Sequence, residues 1–131
     1  MKPEAASFLD KARTLPGEAE AILAIHLNES AGRTAYLAGY HAAQAFVLER
    51  TGKSPKTHRG VHTEFLRHTK DDPRLDPDLR LFLSSGYNLE AIADYETGPG
   101  AKVSKERATS TIEADKRFVA WVVESFGSDH A

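Results

Sequence analysis

The sequence predicts an all-α protein, an up-and-down helical bundle of four to five main helices. Apolar residues recur at three- and four-residue spacing through nearly every long segment. No run alternates apolar with polar residues in the way a half-buried strand does. Proline and glycine fall between the periodic segments as starts and stops, and no repeat or low-complexity tract interrupts them. A chain of 131 residues suits one domain spanning 1–131, with the tail 128–131 expected to fray.

The first helix should begin near Pro3, a good first-turn residue, and carry Ala6, Leu9 and Ala12 up to the sequence TLPGE, where Pro16 and Gly17 predict a break or kink. A second stretch from Glu18 to about Leu27 carries Ala21, Ile22 and Ile25, and Ser30 then offers a cap for the longest helix, about Ala31 to Arg50. Gly52 and Pro55 stop that helix. Thr57 caps the next, which runs to about Thr69 with Val61 and Phe65 on its apolar face. Asp76 before Pro77 starts another, whose face is marked by Leu79, Phe82, Leu83, Gly86, Leu89 and Ile92, and Gly98 and Gly100 end it in a linker. Ser104 restarts a helix whose stripe is Ile112, Asp115, Phe118, Val119, Val122, Val123 and Phe126, with Gly127 as its stop and Trp121 at the core edge or in a dimer contact.

Composition excludes several function classes. The formal charge of −2 provides no global positive field, so any contact with RNA must be a local patch. The chain has no cysteine, which removes disulfides, thiolate nucleophiles and Cys-ligated metal. No apolar run approaches the ~18 residues of a membrane span, and the N-terminus lacks the apolar core of a signal peptide; the expectation is a cytoplasmic chain with no membrane partner.

On the long helix, Ala35, Ala38, Gly39, Ala42, Ala43 and Ala45 let a neighbouring backbone come close. Tyr36 and Tyr40, four apart, share a face, and His41 lies about 100° further round. Lys53, Lys56, Thr57, His58 and Arg59 gather positive charge at a helix start, where free amides also favour an anion, and form the candidate nucleotide- or phosphate-binding set. His58 and His62 are four apart, but the sequence offers no third and fourth ligand, so no metal and no cofactor are expected.

Three sequence elements carry a resemblance. Tyr40, His41, Ala42 and Ala43 form an aromatic–His–Ala–Ala element; Lys56, Thr57, His58, Gly60 and Val61 form Lys-Thr-His-x-Gly-Val; Ala93, Asp94 and Tyr95 form Ala-Asp-Tyr. In this order, over about Phe8 to Tyr95, the chain resembles the small prokaryotic branch of the HEPN family (higher eukaryotes and prokaryotes nucleotide-binding domain). The resemblance implies a single HEPN-like bundle that forms a homodimer, with Tyr36, Tyr40 and Tyr95 in the interior or the dimer seam. It also implies a minimal nucleotidyltransferase as partner in a toxin–antitoxin pair. Catalytic members cleave RNA without metal through an Arg-x4-6-His motif, the guanidinium gripping phosphate and the imidazole moving a proton.

This chain departs from that motif. None of His26, His41, His58, His62, His68 and His130 has an arginine five to seven residues upstream, and Glu90 stands where the resemblance leads one to expect arginine before Tyr95. Arg33 precedes His41 by eight residues, about 12 Å along a helix axis, too far for one phosphate to touch both. The expectation is therefore a module that binds nucleotide, RNA or a protein partner with weakened or absent nuclease activity. The alternative is a metal-independent ribonuclease toxin with His41 or His58 as proton carrier, Arg33 or Arg59 as clamp and Asp94 orienting the imidazole.

Overall fold

The computed structural model describes the backbone of residues 1–87 and 103–130, and side chains as far as Gly127. Helix α1 spans Pro3–Ala24, α2 Asn28–Thr51, α3 His58–Thr69 and α4 Pro77–Arg80; α5 covers residues 82–87 at the edge of the described segment, and α6 spans Lys105–His130. The described residues contain no strand. The chain is an all-α helical bundle.

Helices α1 and α2 form the most extensive pair. A three-residue link separates them, and the Lys2 backbone N–H donates to the Glu49 carboxylate, so the start of α1 lies beside the end of α2 and the two are antiparallel. Helix α6 lies along α2 in the same direction, because Asn28 reaches the Val103 carbonyl near the start of both and Phe46 meets Trp121 further along both. Ala31, Ala35, Ala38, Ala42, Ala43 and Ala45 are fully buried, which gives the small residues of α2 the packing role their size suggests. The core closes over Phe46, Phe65, Phe82, Phe118 and Trp121, whose rings meet at centroid distances of 5.1 to 6.1 Å. Trp121 belongs to this cluster.

Four expected punctuation points hold. Gly52 takes φ +80°, Thr57 accepts from the Gly60 N–H, Asp76 accepts from the Asp78 N–H, and the Ser104 hydroxyl accepts from the Arg107 N–H.

Four others are corrected. Pro16 does not break the chain: α1 runs through it, and Ala5, Leu9, Ala12, Pro16 and Ala19 make one buried stripe at alternating spacings of four and three. Losing one backbone hydrogen bond at Pro16 is outweighed by keeping that stripe on its neighbours. Ser30 is no cap, since α2 already begins at Asn28 after a turn in which His26 takes φ +65°. The helix after Asp76 is interrupted at Leu81 before residues 82–87 resume. Gly127 does not stop α6, and the expected frayed tail is helical as far as His130; a helix of 26 residues carries a glycine at a cost of about 1 kcal/mol.

Candidate functional site

The site begins on one face of α2. Tyr36 and Tyr40 stand one turn apart with their rings stacked at 6.0 Å, and both are buried. The first turn of α3 crosses this face. Thr57 fixes that turn by capping, and His58 and His62, again one turn apart, both come to face α2. The Tyr36 hydroxyl lies 2.7 Å from His58 Nδ1 and 2.8 Å from His62 Nε2. A phenol has one proton. When both imidazoles are neutral, one ring nitrogen accepts that proton and the other donates its own N–H to the phenol oxygen, which makes a His–Tyr–His hydrogen-bonded chain.

A column of near-parallel rings stands across this chain. Tyr40 and His58 stack at 4.2 Å and 21°, and His58 and Tyr87 stack at 5.3 Å and 29°. Exposure grows along the column, from 8% at Tyr40 to 44% at Tyr87. Tyr87 is brought here by Gly86, whose backbone sits so close to Tyr36 that an added Cβ would lie 2.8 Å from Tyr36 Cδ1.

The electrostatics favour a neutral His62. Burial, with a smaller contribution from His58, pushes the His62 imidazole down to about 4. The His41 imidazole is also lowered, first by burial, while the hydrogen bond to Gln44 opposes the shift. Burial raises the Tyr40 phenol. A histidine that stays neutral far below pH 7 is a poor general acid, though it remains a good hydrogen-bonding surface.

The expected site residues separate into groups. His41 does not join the hydrogen-bonded chain: its Nδ1 lies 2.7 Å from Gln44 Oε1 on its own helix, and its ring stacks on Phe8 at 6.0 Å. Asp94, Tyr95 and Glu90 lie outside the described residues, so the His41–Asp94 pairing does too. Within the basic set, Thr57 is occupied as a cap and His58 turns inward to Tyr36 and Tyr40. Lys53 and Lys56 line a shallow hollow with Glu64, and Arg59 is exposed at the start of α3. Glu64 pairs with Arg67 and His68, and the first turn of α3 holds no acid.

Sequence reasoning alone does not reach His62 as a partner of Tyr36, and it passes over Tyr87 altogether. The signal for His62 is its four-residue spacing from His58, matched by the same spacing of Tyr36 and Tyr40. Nothing local marks Tyr87 except the glycine before it. Among the described residues, no group of three histidine, cysteine, aspartate or glutamate side chains is placed to hold a metal ion.

Tyr36→Phe should lower the urea midpoint with an unchanged denaturant slope, a loss of about 1–2 kcal/mol, because two half-buried imidazole nitrogens lose the same partner. A midpoint equal to that of the parent would mean that water serves those nitrogens equally well.

No family model and no curated protein matches this sequence. A solved structure is similar: the crystal structure of TT1696 from Thermus thermophilus superposes with a TM-score of 0.77 at 20% identity, covering 94% of this chain and 98% of that one. At that identity the likeness establishes the fold alone. Among the described residues, no helix is long and apolar enough to cross a membrane.

Proposed function

We propose that this chain is a HEPN-type helical bundle that binds RNA or a nucleotide at the face formed by α2, the start of α3 and α5, without the arginine–histidine cleavage chemistry of catalytic relatives. The observation that carries this reading is the Tyr36 hydroxyl held between His58 and His62. Beside it, the stacking of Tyr40 on His58 joins the first two of the three sequence elements behind the resemblance, one on α2 and one on α3, in the same cluster. The rings supply planes and hydrogen-bonding atoms, and the exposed Lys56 and Arg59, which flank His58 in sequence, supply the charge that attracts phosphate. Under the same reading the bundle acts as a cytoplasmic homodimer beside a minimal nucleotidyltransferase, in the manner of a toxin–antitoxin pair. Light scattering of the chain alone and with that enzyme would report both associations.

The test is fluorescence anisotropy of a labelled oligoribonucleotide across a salt series. The parent should bind with an affinity that falls as salt rises. Lys56→Ala combined with Arg59→Ala should weaken binding several-fold and flatten the slope by about 0.7 for each phosphate that the variant no longer neutralises. Absence of salt-dependent binding, or a double variant that binds as the parent does, would sink the reading.

A second reading, a metal-independent ribonuclease, draws on the same His58–Tyr36–His62 chain, since linked imidazoles and a phenol can carry a proton. RNA cleavage in the presence of a chelator, abolished by His58→Ala, would favour it over the binding role.

A further inference from the structure

We infer that Tyr87 is the stacking platform for an unpaired base, so that the ligand is single-stranded RNA and not a duplex. This rests on the RNA-binding reading above and goes beyond it by naming the strand state of the ligand and the residue that selects it. The ring column explains the choice. Tyr40, His58 and Tyr87 follow one another at 4.2 and 5.3 Å with tilts of 21° and 29°, and the last ring is 44% exposed. An exposed aromatic ring at the end of a stack is completed by another planar ring, and a nucleobase is such a ring whatever its sequence. A duplex keeps its bases stacked on each other, so it cannot offer one without opening.

The platform is held firmly. His58 lies behind it, is stacked on Tyr40 and is hydrogen-bonded to Tyr36, while His62 meets the Tyr87 ring edge-on at 5.7 Å. Gly86 fixes the height of the platform through its close approach to Tyr36. Charge completes the match. Arg59 is the direct neighbour of His58, Lys56 lies two residues before it, both are exposed, and the first turn of α3 contains no carboxylate to repel a phosphate. For a strand whose base lies on Tyr87, the basic residue nearest to the column in sequence is Arg59, which follows His58.

The experiment compares the parent, Tyr87→Ala, Tyr87→Trp and the Lys56→Ala/Arg59→Ala double variant. The probes are a labelled single-stranded 12-mer oligouridylate and a labelled duplex of the same length, read by anisotropy across a salt series. Tyr87→Ala should weaken single-strand binding by between about 5-fold and about 100-fold, the usual contribution of one stacked base. Its salt slope should match that of the parent, because the ring touches no phosphate. Tyr87→Trp should restore binding to within about 2-fold, and the parent should prefer the single strand to the duplex. If the double variant weakens binding while Tyr87→Ala does not, the platform is overturned and the RNA-binding reading survives. A parent that prefers the duplex also overturns the platform, and a parent that binds neither probe overturns both. Tyr87 is exposed, so its replacement leaves the core intact, and an unchanged thermal midpoint checks this.

Discussion

Asp115→Asn raises the thermal midpoint at pH 8 and leaves it nearly unchanged at pH 4. Asp115 is fully buried on the face of α6 that meets α2, between Ile112 and Phe118 of the apolar stripe, and neither carboxyl oxygen has a hydrogen-bond partner among the described residues. Burial pushes its pKa up to about 9, and the nearby Gly39 backbone offsets this only in part. The unfolded chain releases this proton from about pH 4 upward, while the native state keeps it until about 9. Through that window the native state binds more protons, so stability falls as pH rises, by at most about 1.4 kcal/mol per pH unit. Asparagine keeps the shape and cannot ionise, so it should gain about 2 kcal/mol or more at pH 8.

His62 has the opposite sign. Its native value of about 4 lies below the unfolded 6.5, so its contribution is complete above 6.5 and is lost as pH falls towards 4. Between about pH 4 and 6.5 the two slopes nearly cancel, and above 6.5 only the Asp115 decline remains, which Asp115→Asn removes. Urea unfolding of parent and variant at pH 4, 6 and 8 would show this, and parallel pH profiles for the two would refute it.

Gly39→Ala destabilises the fold by about 1–3 kcal/mol, whereas Gly17→Ala stabilises it by up to about 1 kcal/mol. Both glycines lie inside helices, where alanine is intrinsically favoured. Their surroundings decide the sign. A Cβ on Gly17 meets nothing within 4 Å, but one on Gly39 would lie 2.2 Å from Phe82 Cε1. Phe82 is buried and packed on Phe118 at 5.2 Å, so its ring cannot swing aside and the whole of α5 must shift. That shift also disturbs the contact of Tyr87 with His58, so under the proposed RNA-binding role Gly39→Ala should weaken binding along with stability. Equal denaturation midpoints for the two alanine variants would contradict this account.

These positions show which features are legible in the sequence and which are not. The spacing of Leu9 and Ala12 announces a helix face, yet Pro16 reads locally as a break. Within the bundle, the stripe continues through Pro16 to Ala19 because a shared buried surface outweighs one missing hydrogen bond. The caps at Thr57 and Asp76 are legible because a cap involves residues only two or three positions apart. Asp115 is legible as a member of an apolar stripe but not as a carboxyl without a partner, since partners come from other helices. The site divides in the same way. Tyr36 and Tyr40 share a face by their spacing alone, whereas His62 and Tyr87 acquire a role only where α3 and α5 meet α2.

The sequence by itself determined that the chain is helical, the helix ends at Gly52, Thr57, Asp76 and Ser104, the small-residue face of α2 and the absence of an Arg-x4-6-His motif, because each depends on residues within about two turns of one another. Only the tertiary structure decided that His58 turns inward, that one phenol joins two imidazoles, and that a column of rings ends at an exposed tyrosine. The Tyr36 hydroxyl alone reaches partners 22 and 26 positions further along the chain, and such pairs are set by how helices pack, which no local spacing encodes.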